Sequence, residues 1–275
     1  MRSPSSAGAD ASLSVPQAVA LGALHGPAEL LPISSSAHVA ILPWLLGWDY
    51  EELDAEVRKS FEVTLHAGTA AALMVLERRS LAQALRRRRA HELELLALSC
   101  APAALVGLAL ERPIERYLGT PLTIAAGLLG GAALLAISDR APQRRARLQA
   151  GALDALWLGL AQAGALLPGV SRSGATLAAA RLRRFTRADA ELLSRQAGVP
   201  VIAGAALLKG IRLRRRGVPR GVAAPFIAGG AGAFATTMLA SRLTRRADRN
   251  GSLLPYAAYR VVLAAVIVAR LKRSG

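Results

Sequence analysis

Acid, base and nucleophilic side chains lie close together in one apolar stretch near the start of this sequence. His25 and Glu29 are four residues apart, so on a helix they would share a face and could hold one metal ion or one proton together. Three hydroxyls follow, and then a histidine: Ser34, Ser35, Ser36 and His38. Glu29 could instead pair with an arginine, and His38 could be an ordinary interior histidine. The clustering of both residues with three hydroxyls favours a functional site.

A second group of polar residues follows Pro168 and Gly169, and it reads Ser171-Arg172-Ser173-Gly174-Ala175-Thr176. A glycine-flanked turn that opens a short helix presents free backbone N–H groups and the positive end of the helix dipole, which attract an anion. The guanidinium of Arg172 can bind two phosphate oxygens at once. The serines could instead be simple helix caps, and Arg172 could reach toward lipid headgroups. Taken with the first group, these residues indicate phosphoryl transfer on a lipid.

Both groups lie where the sequence predicts an interrupted helix. Pro32 removes a helical hydrogen bond and the serines after it favour a new N-cap, so one helix should end near Leu31 and another should begin at 34–36. Pro168 ends a second helix in the same way. The apolar runs after the two breaks would extend about 17 Å and about 10 Å as helices, too short to cross a bilayer. Broken backbone at membrane depth is tolerated only beside protein or a water-filled cavity, so we predict two re-entrant half-helices around a cavity.

Composition and charge place the chain in a membrane. Of its 275 residues 53% are hydrophobic, and the net charge of +17 includes short arginine runs between long apolar blocks. Residues 117–138 and 221–241 carry no charge, and each could cross a hydrocarbon core of roughly 30 Å as a helix. The blocks show no alternating polar pattern, so the predicted class is an all-α integral membrane protein, a polytopic helical bundle. Arginine runs at lipid headgroups account for the positive charge, so we expect no nucleic-acid partner.

Two halves of the chain echo each other. The leucine-leucine-proline run that ends at Pro32 returns at Pro168, and the run His66-Ala67-Gly68 is echoed by Gln196-Ala197-Gly198. These matches predict an internal repeat, with the site where the two halves meet. The predicted boundaries are a flexible tail at 1–12, a first repeat at about 13–110 and a second at about 151–241, all in one membrane domain of 1–275.

The two polar motifs resemble the signature regions of the undecaprenyl-pyrophosphate phosphatase family, also called the bacitracin-resistance family. The segments that carry the resemblance cover most of the chain: Gly22 to His38, Phe61 to Val63, His66 to Thr69, Pro168 to Thr176, Thr186-Arg187 with Pro200 downstream, and Tyr259-Arg260. The resemblance implies an inverted-repeat membrane fold, often dimeric, in the bacterial plasma membrane. It also implies hydrolysis of undecaprenyl pyrophosphate to the monophosphate, which recycles the lipid carrier of cell-wall synthesis and confers bacitracin resistance.

The resemblance also assigns roles to residues. It makes Glu29, Ser35, His38 and Arg172 catalytic, with either the serine or the histidine as nucleophile; we favour Ser35 attacking with His38 as base, because a hydroxyl needs a neighbouring base at neutral pH. A divalent cation, Mg²⁺ or Ca²⁺, would bridge the carboxylate and the pyrophosphate. The expected substrate-binding residues are Ser34, Ser36, Ser171, Ser173, Gly174 and Thr176.

The sequence departs from the family pattern at two places. His25 stands where the family has a glutamate, so the predicted metal ligands are His25 and Glu29, and a softer ion than Mg²⁺ or Ca²⁺ becomes possible. Arg195 stands where apolar residues are usual, and Glu62 is a candidate partner for it; His66 is interpreted as structural. Two alternatives therefore stay open: a polyprenyl-phosphate transporter or flippase, and a weakly active paralogue that binds the lipid.

Overall fold

The computed structural model describes residues 13–50, 52–87, 90–216, 222–247 and 251–274, so the predicted tail at 1–12 lies outside the described residues. Apart from one bridge between Arg145 and Phe185, these ranges contain no β-structure, which confirms the all-α prediction. The helices are α1 (Val15–Leu30), α2 (Ser35–Leu46), α3 (Ala55–Arg87), α4 (Ala90–Leu118), α5 (Pro121–Asp139), α6 (Ala152–Gly164), α7 (Arg172–Leu182), α8 (Arg187–Arg216), α9 (Ala223–Ala247) and α10 (Leu254–Ser274).

Four of the described helices are long and apolar enough to cross a membrane: α4, α5, α9 and α10. In α4 only 11% of the apolar window Leu93–Leu110 is buried inside the protein. Leu105 and Leu108 in this window are mostly exposed. Exposing such side chains to water costs about 25 cal/mol per Å², whereas lipid removes that cost. The structure thus confirms a polytopic helical membrane protein.

Both predicted helix breaks are present. Helix α1 ends at Leu30 and α2 begins at Ser35, whereas α6 ends at Gly164 and α7 begins at Arg172. Helix α2 has 12 residues and α7 has 11, which corresponds to about 18 Å and about 16 Å, roughly half of a bilayer. Helix α7 continues to Leu182, slightly beyond the uncharged run on which its predicted length was based. Two short helices therefore follow the two breaks, as half-helices require.

Several of the main helix contacts are related between the two halves. Helix α1 packs on α9 just as α6 packs on α4, and α3 contacts α9 as α8 contacts α4. Helices α3 and α8 contact each other, and so do α5 and α10. Exchanging α1–α5 with α6–α10 interchanges the members of the first two sets of pairs and turns each of the last two pairs into itself. This pattern is what two interlocked repeats of five helices would give, each extending beyond the predicted bounds of about 13–110 and 151–241. The repeat and its inverted orientation both stay predictions.

Glycines allow α1, α3 and α9 to approach closely, as small residues do in membrane bundles. A Cβ on Gly22 would lie 3.1 Å from the backbone nitrogen of Ala233. A Cβ on Gly229 would lie 2.6 Å from the ring of Phe61. Gly232, on the same helix, has no atom closer than 3.6 Å to such a Cβ. The two α9 glycines therefore differ in how much room a methyl group would find.

We expect Gly229→Ala to lower the free energy of unfolding by about 1–3 kcal/mol, because the Phe61 ring or the backbone must shift. Gly232→Ala is the matched control and should be neutral or slightly stabilising. Thermal unfolding of both purified variants in one detergent, followed by circular dichroism, measures the difference. Equal melting temperatures would contradict close packing at Gly229.

Candidate active site

The two turns before α2 and α7 have the same backbone conformation. Ser34 has a φ of 75° and Ser171 a φ of 69°, values in the left-handed region that residues other than glycine seldom adopt. Each serine hydroxyl caps its helix by accepting a hydrogen bond from the N–H three residues later, at 3.4 and 3.2 Å. Backbone strain of this kind costs on the order of 1–3 kcal/mol and concentrates at functional sites. The turns are therefore candidates for the centre of the site.

The turns meet each other although they are far apart in the chain. Nη2 of Arg172 lies 3.3 Å from Oε1 of Glu29, and the hydroxyl of Ser173 donates to the carbonyl of Leu31 at 3.0 Å. Glu29 is 7% exposed, so the carboxylate and its guanidinium partner form a mostly buried ion pair. The structure thus brings the predicted arginine of one turn to the predicted acid of the other.

Ser35 is paired with Glu29 rather than with His38. Its hydroxyl donates to Oε2 of Glu29 at 2.5 Å. Nδ1 of His38 lies 2.6 Å from the carbonyl oxygen of Ser34, which can only accept, so Nδ1 carries the proton. Nε2 of His38 then accepts from the hydroxyl of Tyr259 at 2.6 Å. The expected Ser35–His38 hydrogen bond does not occur between these described side chains, and the carboxylate of Glu29 accepts the hydrogen bond of the serine instead.

Neighbouring residues of α10 hold both turns in place. Tyr259 contacts the first turn through His38, and the fully buried Arg260 donates to the carbonyl of Val170 at 2.7 Å, next to the second turn. The resemblance included Tyr259 and Arg260 but assigned them no role. A buried cation in an apolar helix is the signal that could have identified Arg260, because such residues are costly in a membrane.

One cavity borders both turns and carries several cations. Glu29, Arg172 and Ser173 lie on its wall. Nε and Nη1 of Arg172 are buried and have no hydrogen-bond partner among the described residues. Those two N–H groups are therefore available for phosphate oxygens. Three further arginines line the cavity: Arg181, Arg187 and Arg195.

The other predicted substrate-binding residues lie at different depths. Thr176 is fully buried, and its hydroxyl donates to the carbonyl of Arg172 at 2.9 Å and lies 2.5 Å from Oγ of Ser194, so it joins α7 to α8. The N–H of Gly174 is occupied by the Ser171 cap. Ser36, by contrast, is exposed at the first turn.

Arg195 has acidic partners, but not the one suggested by the sequence. Its Nη2 lies 2.6 Å from Oε1 of Glu191, one turn earlier on α8, and its Nη1 lies 4.0 Å from Oε1 of Glu77 on α3. The suggestion of Glu62 is therefore wrong. Spacing along the chain could have indicated Glu191, because residues four apart share a helix face.

His66 also lies at the site, although the sequence interpretation made it structural. His25, Glu29 and His66 each offer one ligand atom, and these atoms lie within 4.8 Å of one another. The two imidazole rings meet edge to face with centroids 4.6 Å apart. The structure therefore contains a His/Glu cluster that could hold a divalent cation. In the sequence, the only indication of a role for His66 was its place in the short segment that matches the segment around Gln196. That match gave no information about metal binding or catalysis.

Comparison with known proteins agrees with this geometry. Residues 18–266 match the family described as Bacitracin resistance protein BacA. The chain belongs to the BacA family. Because four of its described helices can span a bilayer, this BacA-family member is a multi-pass protein of the bacterial plasma membrane.

Three similar proteins carry the name undecaprenyl-diphosphatase. The one from Geobacter sulfurreducens is 39% identical, with 94% of this chain and 99% of the relative covered. The one from Geobacter metallireducens is 38% identical over 91% of this chain and 96% of the relative. The one from Chromohalobacter salexigens is also 38% identical, over 91% of this chain and 96% of the relative. The similarity therefore extends over nearly the whole chain.

Proposed function

We propose that this protein hydrolyses undecaprenyl pyrophosphate, or a related polyprenyl pyrophosphate, to the monophosphate and inorganic phosphate. The observation that carries the proposal is the buried contact of Arg172 with Glu29, beside the hydroxyl of Ser35. It combines an anion-binding group, a base and a nucleophile in a membrane protein. The names of the relatives support the same substrate. The activity would recycle the cell-wall lipid carrier and protect the cell against bacitracin.

Ser35 is the proposed nucleophile. Its Oγ attacks the terminal phosphorus, the bond from that phosphorus to the bridging oxygen breaks, and polyprenyl monophosphate leaves. Oε2 of Glu29, 2.5 Å from the hydroxyl, takes its proton. Glu29 passes that proton to the bridging oxygen of the departing monophosphate and becomes a carboxylate again. It then takes a proton from the water that attacks the phosphoserine, the bond from phosphorus to Oγ of Ser35 breaks, inorganic phosphate leaves, and Glu29 returns the proton to Ser35. Nε and Nη1 of Arg172 offset the charge on the phosphate oxygens.

The remaining site residues divide into two groups. Ser36 is exposed at the turn and Ser173 lies on the cavity wall, so we assign both serines to substrate binding by their position. The hydroxyl of Ser173 donates to the carbonyl of Leu31, so its oxygen would meet the substrate as an acceptor. The others set the shape of the turns, because their polar groups are used in caps or in contacts between helices: Ser34, Ser171, Gly174 and Thr176. His38 positions the first turn through its bonds to Ser34 and Tyr259.

A divalent cation beside Glu29 would help to offset the charge of a pyrophosphate. The resemblance implies Mg²⁺ or Ca²⁺ with Glu29 and His25 as ligands. Both ions prefer several oxygen ligands, whereas two of the three clustered side chains are imidazoles. The residues present therefore fit these hard cations poorly.

The chain is proposed to form one membrane domain and, as the resemblance implies, a homodimer. Chemical crosslinking in native membranes, followed by gel electrophoresis, tests the dimer.

Arginines in the described loop between α5 and α6, such as the exposed Arg140 and Arg144, suit anionic headgroups, so nucleic acid is not a proposed partner.

Release of inorganic phosphate from farnesyl or undecaprenyl pyrophosphate by the purified protein tests the proposed function. Glu29→Gln should lower this rate by about 10²–10⁴-fold, because an amide cannot take the proton from Ser35. Arg144→Ala, in an exposed loop, is the control and should keep the wild-type rate. Movement of a polyprenyl phosphate across proteoliposomes with no phosphate release would favour the transporter instead.

A further inference from the structure

The buried end of the site holds nitrogen ligands that the proposed reaction does not use. His25 is 1% exposed, and its Nε2 has no hydrogen-bond partner among the described residues. An orphaned polar atom at such depth costs free energy unless another group satisfies it. The neighbouring groups that offer ligand atoms are Glu29 and His66. The free nitrogen therefore belongs to a side chain that is part of a metal-ligating cluster.

The second nitrogen of His25 is held in the way that metal-binding imidazoles require. Nδ1 lies 3.0 Å from Oγ1 of Thr69, which is fully buried. Oγ1 of Thr69 in turn lies 3.3 Å from Oγ1 of Thr237 on α9. An imidazole that binds a metal through Nε2 carries its proton on Nδ1 and donates it to a neighbouring acceptor. The hydroxyl oxygen of Thr69 is placed to be that acceptor, and in the metal-bound form this hydrogen bond would orient His25.

We propose that His25, His66 and Glu29 bind a transition-metal ion of the Zn²⁺, Fe²⁺ or Co²⁺ class, in place of Mg²⁺ or Ca²⁺. Imidazole nitrogen is a good ligand for such ions and a poor one for hard cations. Two histidines and one carboxylate form a ligand set used by zinc and non-haem iron sites, with positions left open for substrate. The ion's role in hydrolysis rests on the proposed function, but its binding does not.

The charges of the site favour the same ion class. Arg172 already balances the charge of Glu29 at 3.3 Å, and the two histidines add donors without adding negative charge. A hard cation bound mainly by charge would gain little here, whereas the nitrogen bonds of a transition metal do not depend on ligand charge. The excess positive charge of the loaded site would then attract pyrophosphate.

Metal binding by the full-length protein without substrate tests this proposal. After removal of metal with a chelator, Zn²⁺ and Mg²⁺ are titrated separately by calorimetry in detergent. We expect one Zn²⁺ per chain, bound on the order of 100-fold more tightly than Mg²⁺. His66→Ala should weaken Zn²⁺ binding by at least about 100-fold, and Thr69→Val by about 10- to 100-fold. Zn²⁺ affinity unchanged in His66→Ala, or tighter binding of Mg²⁺, would overturn the proposal.

Two further measurements guard against variants that fail to fold. His38→Gln is the matched control, because both nitrogens of His38 are engaged elsewhere, and it should retain Zn²⁺ affinity. His25→Glu should shift the preference toward Mg²⁺. Co²⁺ bound to the wild-type protein should show the strong visible absorption of a low-coordinate site with nitrogen ligands; a spectrum like that of hydrated Co²⁺ would refute the assignment. If the wild-type protein binds Zn²⁺ as expected but releases no phosphate from a polyprenyl pyrophosphate, only the proposed function is contradicted.

Discussion

Replacing Arg172 with alanine is expected to lower the rate of phosphate release by about 10³-fold, because it removes the donors that offset charge on the transferred phosphoryl group. In the structure one nitrogen of Arg172 contacts Glu29 and two others are buried without a partner. Arg172→Lys should recover only part of the rate, since a lysine cannot form two parallel hydrogen bonds. The measurement is kcat/KM for a polyprenyl pyrophosphate in one detergent.

Gly198→Ala tests whether the position of the Arg172 guanidinium, and not only its presence, matters for activity. A Cβ on Gly198 would lie 2.6 Å from Cζ of Arg172, so Gly198→Ala must displace the guanidinium. We expect a loss of activity in Gly198→Ala smaller than that in Arg172→Ala, with an unchanged circular dichroism spectrum. Rates within tenfold of wild type for both variants would remove Arg172 from the mechanism.

Replacing Ser35 with alanine is expected to reduce phosphate release by roughly 10⁴-fold or more, because loss of a nucleophile leaves only binding and electrostatic effects. Ser36→Ala is the matched control: its hydroxyl is exposed one residue away, and its loss should cost less than about tenfold. Ser35, unlike Ser36, donates to Glu29 at 2.5 Å. Comparable rates for the two variants would be inconsistent with Ser35 as the nucleophile.

Trapping the covalent intermediate distinguishes serine from histidine. Acid quenching of a single turnover with a substrate labelled at the terminal phosphate should retain label on the wild-type chain and none on Ser35→Ala. A phosphoserine survives acid and is lost in base, whereas a phosphohistidine shows the opposite stability. After a quench in base, a base-stable, acid-labile label that persists in Ser35→Ala would show a phosphohistidine, and its loss on His38→Gln would identify His38 as the nucleophile.

The interruptions of the helices could be predicted because their causes are local. Pro32 lacks the N–H that a continuing helix would use, and the structure ends α1 at Leu30, two residues earlier. Serine after each break favours an N-cap, which is what Ser34 and Ser171 provide. The membrane-spanning segments could be predicted for the same reason, because the ability of a helix to cross a bilayer depends on its own length and hydropathy.

The partners within the site could not be predicted, because they depend on how distant helices pack. Chemistry suggested that Ser35 needs a base, but its hydrogen-bond acceptor in the structure is Glu29 and not the nearby His38, whose nitrogens are occupied by Ser34 and Tyr259. The spacing of residues along the chain determines which side chains share a face of one helix. It does not determine how a second helix is rotated against that face.

The amino-acid sequence alone therefore determined the membrane class, the two broken helices and the residue types that could handle a pyrophosphate, since each follows from backbone chemistry or side-chain polarity within a short window. Only the tertiary structure decided that Arg172 contacts Glu29, that His66 joins His25, and that α10 braces both turns. Those contacts join residues far apart in the chain, and their geometry follows from the packing of many helices at once rather than from any local signal.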